Sequence, residues 1–363
     1  MTRGPNASIE TLMSSRPRAH IHLSSIAANW QAIDRLNPTA TTAAVVKADG
    51  YGLGAAKVSR TLARAGCSTF FVAHFEEGTA LRQALGFGPR IFVLNGPTGS
   101  HLRTYREADL TPVLSSEEQV ELWARAPRGA CALHFDTGMN RLGLSSSVLT
   151  HRRDELHKLQ PVLIMSHLAC GDLPDHALNR VQLDRFTEIA SAFPDTPASL
   201  AASSGCYLGK AYAFDLTRPG IALYGGSTPP ETVRLEPTVT LEARILSVFS
   251  ARAGESVGYA ATHTLEQNTT LATVALGYAD GIPRSGGNTL IGYLDGTPCP
   301  VLGRISMDLI TIDVSKAQAE AKSGARVEFL GTHAKLEEQA TRAGTLGYEL
   351  LTGLSNRVER VYP

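Results

Sequence analysis

The segment Ala44-Val45-Val46-Lys47-Ala48-Asp49-Gly50-Tyr51-Gly52 places a lysine at the end of an apolar strand, followed by a glycine-rich turn and a tyrosine. Partial desolvation there disfavours the ammonium form and leaves a neutral amine able to attack a carbonyl and form a Schiff base. Local sequence alone leaves a second reading open, a surface lysine snorkelling from a strand edge. Gly50, Gly52 and Gly54 lack the G-x-G-x-x-G spacing of a dinucleotide-binding turn. Cys67, Cys131, Cys170, Cys206 and Cys299 are scattered, with no Cys-x-x-Cys pair for zinc or redox chemistry, and read as small buried apolar residues.

Positioning such a lysine requires a scaffold, and the chain repeats one pattern: an apolar strand of about five residues, a polar turn, an amphipathic helix. Strand candidates end near Lys47, Ala73, Leu94, Val113, Phe135, Ser166, Ala201 and Ile221, with helical patterns over 55–65, 116–125 and 177–192 between them. Ser24 is expected to cap a first helix carrying Ile26, Trp30 and Ile33. Eight such units fit an α/β (βα)8 TIM barrel; a doubly wound sheet competes with it. Barrel active sites lie at the C-terminal strand ends, where Lys47, His167, Ser204 and Arg218 fall. From about Thr238 the texture changes to short strands over 239–248, 270–275, 289–293 and 309–313, a mainly β domain. The expected division is a loose extension over 1–17, a barrel over 18–237 and a β domain over 238–363, with a hinge over 231–237. A short strand over 19–23 is left over and is free to pair with the β domain.

Lys plus Arg and Asp plus Glu each total 34, so no net field recruits a polyanion, and nucleic acid is not an expected partner. No apolar run approaches the ~20 residues a membrane helix needs. Residues 1–17 lack the apolar core of a secretory signal, so a cytoplasmic protein is expected.

Taken together, the segments around Lys47 resemble the alanine racemases. The resemblance continues in order through Asp136-Thr137-Gly138-Met139-Asn140-Arg141-Leu142-Gly143, Ser166-His167-Leu168-Ala169, Ala202-Ser203-Ser204 and Arg218-Pro219-Gly220-Ile221-Ala222-Leu223-Tyr224-Gly225. It then runs through Val257-Gly258-Tyr259, Gly277-Tyr278-Ala279-Asp280-Gly281 and Gly303-Arg304-Ile305-Ser306-Met307-Asp308, spanning about residues 18–363. The resemblance implies bound pyridoxal 5′-phosphate, alanine as substrate, D-alanine production and a homodimer with shared active sites. Lys47 would hold the cofactor and act as one base, Tyr259 of the other subunit as the second, helped by His167. Arg218 would face the pyridine nitrogen, where an arginine makes a weaker electron sink than a carboxylate and suppresses transamination. Tyr51, Ser204 and the N–H groups of Gly220 and Ile221 would hold the phosphate, Arg141 and the Met307 N–H the substrate carboxylate. Asp308 belongs to the same implied catalytic set, and Asp172, Arg284 and Arg304 match the access corridor.

Two residues depart from the family pattern. His134 stands where many members have a carbamylated lysine bracing the carboxylate-binding arginine, so Arg141 must be oriented by His134 itself or by an anion. Asn356 stands where some members place a phosphate-contacting tyrosine; the smaller side chain widens the pocket and predicts some turnover of serine. Two alternatives stand beside the racemase: another barrel enzyme with this cofactor, a decarboxylase or aldolase, and a non-catalytic carrier of it.

Overall fold

In a computed structural model, residues 16–99, 102–125, 129–227 and 229–363 are described. They form two compact units, Leu23–Glu236 and, separately, residues 16–22 with Pro237–Pro363. The loose extension expected over 1–17 lies almost wholly outside the described residues. Residues 18–22, expected with the barrel, belong instead to the β unit.

In Leu23–Glu236, seven parallel strands follow one another in chain order, Ala44–Val45, Thr69–Val72, Arg90–Val93, Thr111–Leu114, Ala132–His134, Leu163–Met165 and Ala198–Ser199. An eighth, Leu216–Thr217, pairs in parallel with Thr41–Thr42 just before the first. The Thr41, Ala43 and Val45 N–H groups donate to the carbonyls of Asp215, Thr217 and Pro219 at 2.8–2.9 Å, and the Arg218 N–H donates to Ala201 at 2.9 Å. These bonds join last strand to first, so the sheet closes as a barrel and the doubly wound alternative falls. The strands read as uninterrupted apolar runs, Phe70-Phe71-Val72 or Ile91-Phe92-Val93, because both faces are buried. The eighth strand stops at Thr217, four residues short of Ile221, where Arg218-Pro219-Gly220 turns into a single 3-10 turn at Ile221–Tyr224.

The expected helices appear as Ala55–Arg64, Glu117–Ala124 and Ala177–Ser191. Ser116 caps the second by accepting from the Gln119 N–H at 3.3 Å. Ser24 caps nothing: the first helix starts one residue earlier, at Leu23, and Ser24 lies inside its opening turn. That helix buries Ile26, Trp30 and Ile33 together with a polar residue, Asn29.

In the β unit an eight-stranded sheet is organised around the long strand Val239–Ala251. Its first half pairs with Arg18–Ile21 and Arg326–Leu330, its second half with Thr269–Val274, and the change of partner coincides with a register shift between Ile245 and Ser247. Arg18–Ile21 also pairs in parallel with Glu359–Val361, so this short strand ties both ends of the unit together. Among the described residues no helix is long and apolar enough to cross a membrane.

Asn29 is 1% exposed; its Nδ2 donates to the carbonyls of Leu223 and Glu236, at 3.2 and 3.0 Å, and its Oδ1 accepts from the Glu236 N–H at 2.7 Å. Asn29→Ala strands these backbone groups and is expected to lower the unfolding free energy by about 2–4 kcal/mol, measured by urea denaturation.

Candidate active site

Lys47 ends the first barrel strand, and the chain then makes a left-handed turn. Ala48, Asp49, Gly50, Tyr51 and Gly52 have φ of 52, 53, 62, 56 and 81°. For the three non-glycine residues this conformation costs about 1–2 kcal/mol each, so it persists only where the surroundings impose it. Glu77 does much of this. One carboxylate oxygen accepts from the Ala48 N–H at 2.7 Å, the other from the Ala73 and His74 N–H groups at 2.7 and 3.1 Å. Asp49 Oδ1 accepts from the Ala55 N–H at 2.8 Å and closes the far side of the turn. Lys47 is half-buried; desolvation first, then the charge of Arg141, lowers its pKa below the usual lysine range, against a smaller opposing effect of Glu77.

Around Lys47 the neighbouring strand ends bring other basic groups. Arg141 sits on a loop that leaves the strand Ala132–His134 and returns to it, Leu144 N–H donating to the His134 carbonyl at 2.7 Å and Asp136 N–H to Leu144 at 3.0 Å. Gly143, at φ 137°, packs so tightly here that a Cβ would lie 2.5 Å from the Asp136 nitrogen. His134 lies beneath this loop, 8% exposed, sharing a 3.3 Å hydrogen bond through Nδ1 with Ser115 Oγ. Burial, with Arg218 and Arg141 nearby, lowers its pKa to about 4. His167 feels burial and then Arg218, Arg141, His134 and Lys47, and its pKa falls to about 3. Both imidazoles are therefore neutral near pH 7.

Arg218 is 3% exposed, and among the described residues no carboxylate pairs with it. It donates to Ser199 Oγ, to the Ser166 carbonyl at 2.6 Å and to the Leu200 carbonyl at 3.4 Å. Burial lowers its pKa to about 10, which leaves it cationic at neutral pH.

Beside this cluster lies a tight cradle. Tyr51 is 5% exposed, stacked on Tyr224 at 4.6 Å, and Tyr224 is anchored by its hydroxyl to the Val45 carbonyl at 3.1 Å. A Cβ on Gly220 would collide with the Tyr51 hydroxyl oxygen, so only glycine lets the chain pass there. The Gly220 N–H, expected at an anion, donates instead to Ser203 Oγ at 2.9 Å, and the Ala222 N–H donates to the same oxygen at 3.2 Å. The Tyr51 hydroxyl borders the cradle, and Ser204 and Ile221 each begin a 3-10 turn.

In the β unit, Val257-Gly258-Tyr259 packs on Gly303, where a Cβ would stand 2.5 Å from the Val257 carbonyl oxygen. Tyr278 and Ala279 donate their N–H groups to the Ser306 and Met307 carbonyls, each at 3.0 Å. Arg357 spans two carboxylates, Asp280 at 3.1 Å and Asp308 at 2.7 Å, and so braces the Met307-Asp308 turn. Tyr259, Tyr278 and Met307 are 69, 42 and 52% exposed. Arg284, Arg304, Asn356 and, in the barrel, Asp172 are also exposed.

Glu77 and Ser199 escaped the reading of the sequence, and Ser203 entered it only as part of a motif, with no role of its own. Glu77 alone left a local trace, standing three residues after His74 as a capping-box partner; its reach to Ala48 is a tertiary fact.

The model of the alanine racemase N-terminal domain matches residues 21–228, and that of the alanine racemase C-terminal domain matches 238–362. An alanine racemase of Rhodospirillum rubrum is 45% identical over 354 residues, 94% of each chain. Another, of Cereibacter sphaeroides, is 46% identical over 344 residues, 94% of this chain and 97% of that one. Among solved structures, the alanine racemase of Bartonella henselae with covalently bound pyridoxal phosphate is similar with a TM-score of 0.91 and 34% identity, over 96% of this chain and 100% of that one. The biosynthetic alanine racemase of Pseudomonas aeruginosa is similar with a TM-score of 0.90 and 34% identity, over the same shares.

Gly220→Ala is expected to push the Tyr51 ring aside and cost about 1–3 kcal/mol in denaturant unfolding. In a Tyr51→Phe background, where the hydroxyl is gone, the same change should cost measurably less.

Proposed function

The chain belongs to the alanine racemase family, and from that premise we propose that it interconverts L- and D-alanine with two bases, Lys47 and Tyr259 of the partner subunit, in a cytoplasmic homodimer. The observation that carries this reading is the half-buried, pKa-lowered Lys47 amid basic groups at the barrel strand ends, next to the glycine-lined cradle at Tyr51.

These residues fit pyridoxal 5′-phosphate. Lys47 would hold its aldehyde carbon, the Tyr51 hydroxyl, Ser204 and the Ile221 N–H its phosphate against Gly220, and Arg218 its ring nitrogen. When bound, it supplies the electron sink that makes the α-proton of an amino acid removable.

Inversion then requires that a proton leave one face of the α-carbon and another arrive on the opposite face. A lysine of ordinary pKa is protonated and cannot accept; desolvation and the charge of Arg141 lower the pKa of Lys47 and so favour the neutral Nζ that takes a proton and returns it. Tyrosine, with a pKa of about 10 in water, is a poor base. Placed against His167, the Tyr259 phenol of the partner subunit would lie near the guanidinium groups of Arg218 and Arg141. His167, held neutral, hydrogen-bonds the phenol oxygen without competing for its charge. Arg141 and the Met307 N–H bind the substrate carboxylate and leave the α-carbon between the two bases. His134 and Ser115 support the Arg141 loop from below, as a neutral pair in place of a carbamate. Asp308, through Arg357, holds the Met307 turn. The exposed Tyr259, Tyr278 and Met307 suit a surface that a second subunit covers. Cys67, Cys131, Cys206 and Cys299 are buried free thiols, in keeping with a reducing compartment.

Incubation of the protein and cofactor with L-alanine, followed by chiral chromatography, should give equal amounts of L- and D-alanine with no carbon dioxide. Carbon dioxide release or an unchanged substrate would overturn the assignment. L-serine in the same assay should turn over more slowly but detectably, because Asn356 leaves the pocket wide. Tyr259→Phe should cut racemisation by about 10²–10⁴-fold while one enantiomer still exchanges its α-proton in D2O. Full activity in that variant would end the two-base mechanism.

A further inference from the structure

The helix Ala177–Ser191 carries a polar stripe where a barrel helix ordinarily buries apolar side chains. Asn179, Gln182 and Arg185, three residues apart, all point at the strand-end loops. Asn179 Nδ2 donates to the Cys170 and Leu173 carbonyls at 3.0 and 2.9 Å, and Arg185 donates to the Thr137 carbonyl at 3.0 Å. Gln182, fully buried, lies between them. Its Nε2 donates to the His167 carbonyl at 2.9 Å and to Thr137 Oγ1 at 3.2 Å, while its Oε1 accepts from the Ala169 N–H at 2.8 Å. Thr137 Oγ1 in turn bonds Ser166 Oγ at 2.8 Å, and the Ser166 carbonyl accepts from Arg218.

One amide thus touches two loops from consecutive strands: residues 136–144, which present Arg141, and residues 166–171, which present His167. Its orientation is determined, since a flipped amide would set NH2 against the Ala169 N–H and oxygen against the His167 carbonyl. An apolar side chain would fill the same volume but leave a carbonyl and an N–H at the site unpaired. We propose that Gln182 is a positioning residue of the racemase site, locking the loops of Arg141 and His167 into one unit so that the carboxylate clamp and the partner of the tyrosine base keep a common register. This rests on the two-base reading above.

The test uses the holoenzyme and two variants. Thr137→Val removes the amide's arm to the Arg141 loop together with the Thr137–Ser166 hydrogen bond but keeps the arm to the His167 carbonyl; Gln182→Met removes both arms at nearly constant volume. With Thr137→Val, KM for alanine should rise about 3–10-fold with kcat within about twofold; with Gln182→Met, kcat should also fall about 10–100-fold per bound cofactor. Hydrogen exchange followed by mass spectrometry supplies a readout independent of turnover. Residues 136–143 alone should exchange faster in Thr137→Val, and both 136–143 and 166–171 together in Gln182→Met. The proposal is overturned if Gln182→Met loses only thermal stability or cofactor content while kcat per bound cofactor and loop exchange stay at wild-type levels. It is equally overturned if Thr137→Val alters kcat and not KM, which keeps the question decidable should Gln182→Met fail to fold. A wild type that does not racemise alanine would defeat the functional reading, while the exchange measurements would still decide whether the two loops are coupled.

Discussion

Lys47, Arg141, His134, His167 and Arg218 gather at the strand ends of the barrel, where the charges of Arg141 and Arg218 lower the pKa of both histidines and Arg141 lowers that of Lys47 as well. Like charges brought together in a partly desolvated site repel, and the molecule answers in three ways. The lysine is driven toward its neutral form, the two histidines stay uncharged, and Arg218 remains a cation held by neutral oxygens of Ser199, Ser166 and Leu200. Glu77 and Asp136 offset only part of this positive charge, and in the proposed reading a phosphate and a substrate carboxylate would supply the rest. Such a site would bind anions as part of its own stabilisation, and the proton chemistry proposed for it follows from the same repulsion.

Holding mutually repelling groups in place requires rigid supports. The left-handed turn after Lys47 is an unfavourable conformation that Glu77 and Asp49 enforce through backbone N–H groups. The Arg141 loop is closed by Leu144 and by a glycine with no room for a Cβ. In the β unit the Tyr259 and Met307 turns rest on Gly303 and Gly277, again at contacts that exclude a side chain. Glycine at these positions permits close packing of chain against chain, which keeps the reacting side chains from drifting by the ångström that costs catalysis dearly.

Much of this was legible from residue order. An apolar strand ending in lysine, the repeating strand-turn-helix texture, the change to short strands near Thr238 and the left-over strand before the first helix are local patterns, because period and turn chemistry are written in neighbouring residues. Tyr51, His167, Arg218 and Arg141 could be proposed as site residues for the same reason: each sits in its own short motif.

The tertiary structure alone decided what depends on residues distant in the chain. Closure of the barrel rests on Thr41 meeting Asp215, and the choice against a doubly wound sheet lay in that contact. Glu77 reaches Ala48 across 29 residues, Ser203 takes the Gly220 N–H across 17, and Gln182 reaches Thr137 across 45. None of these residue types announces its partner, since a glutamate, a serine or a glutamine suits a solvated surface equally well. Only burial, which removes water as the alternative hydrogen-bond partner, makes those bonds obligatory. Sequence therefore nominated the groups proposed to carry the chemistry, and the fold decided which of them are charged, how they are held and what braces them.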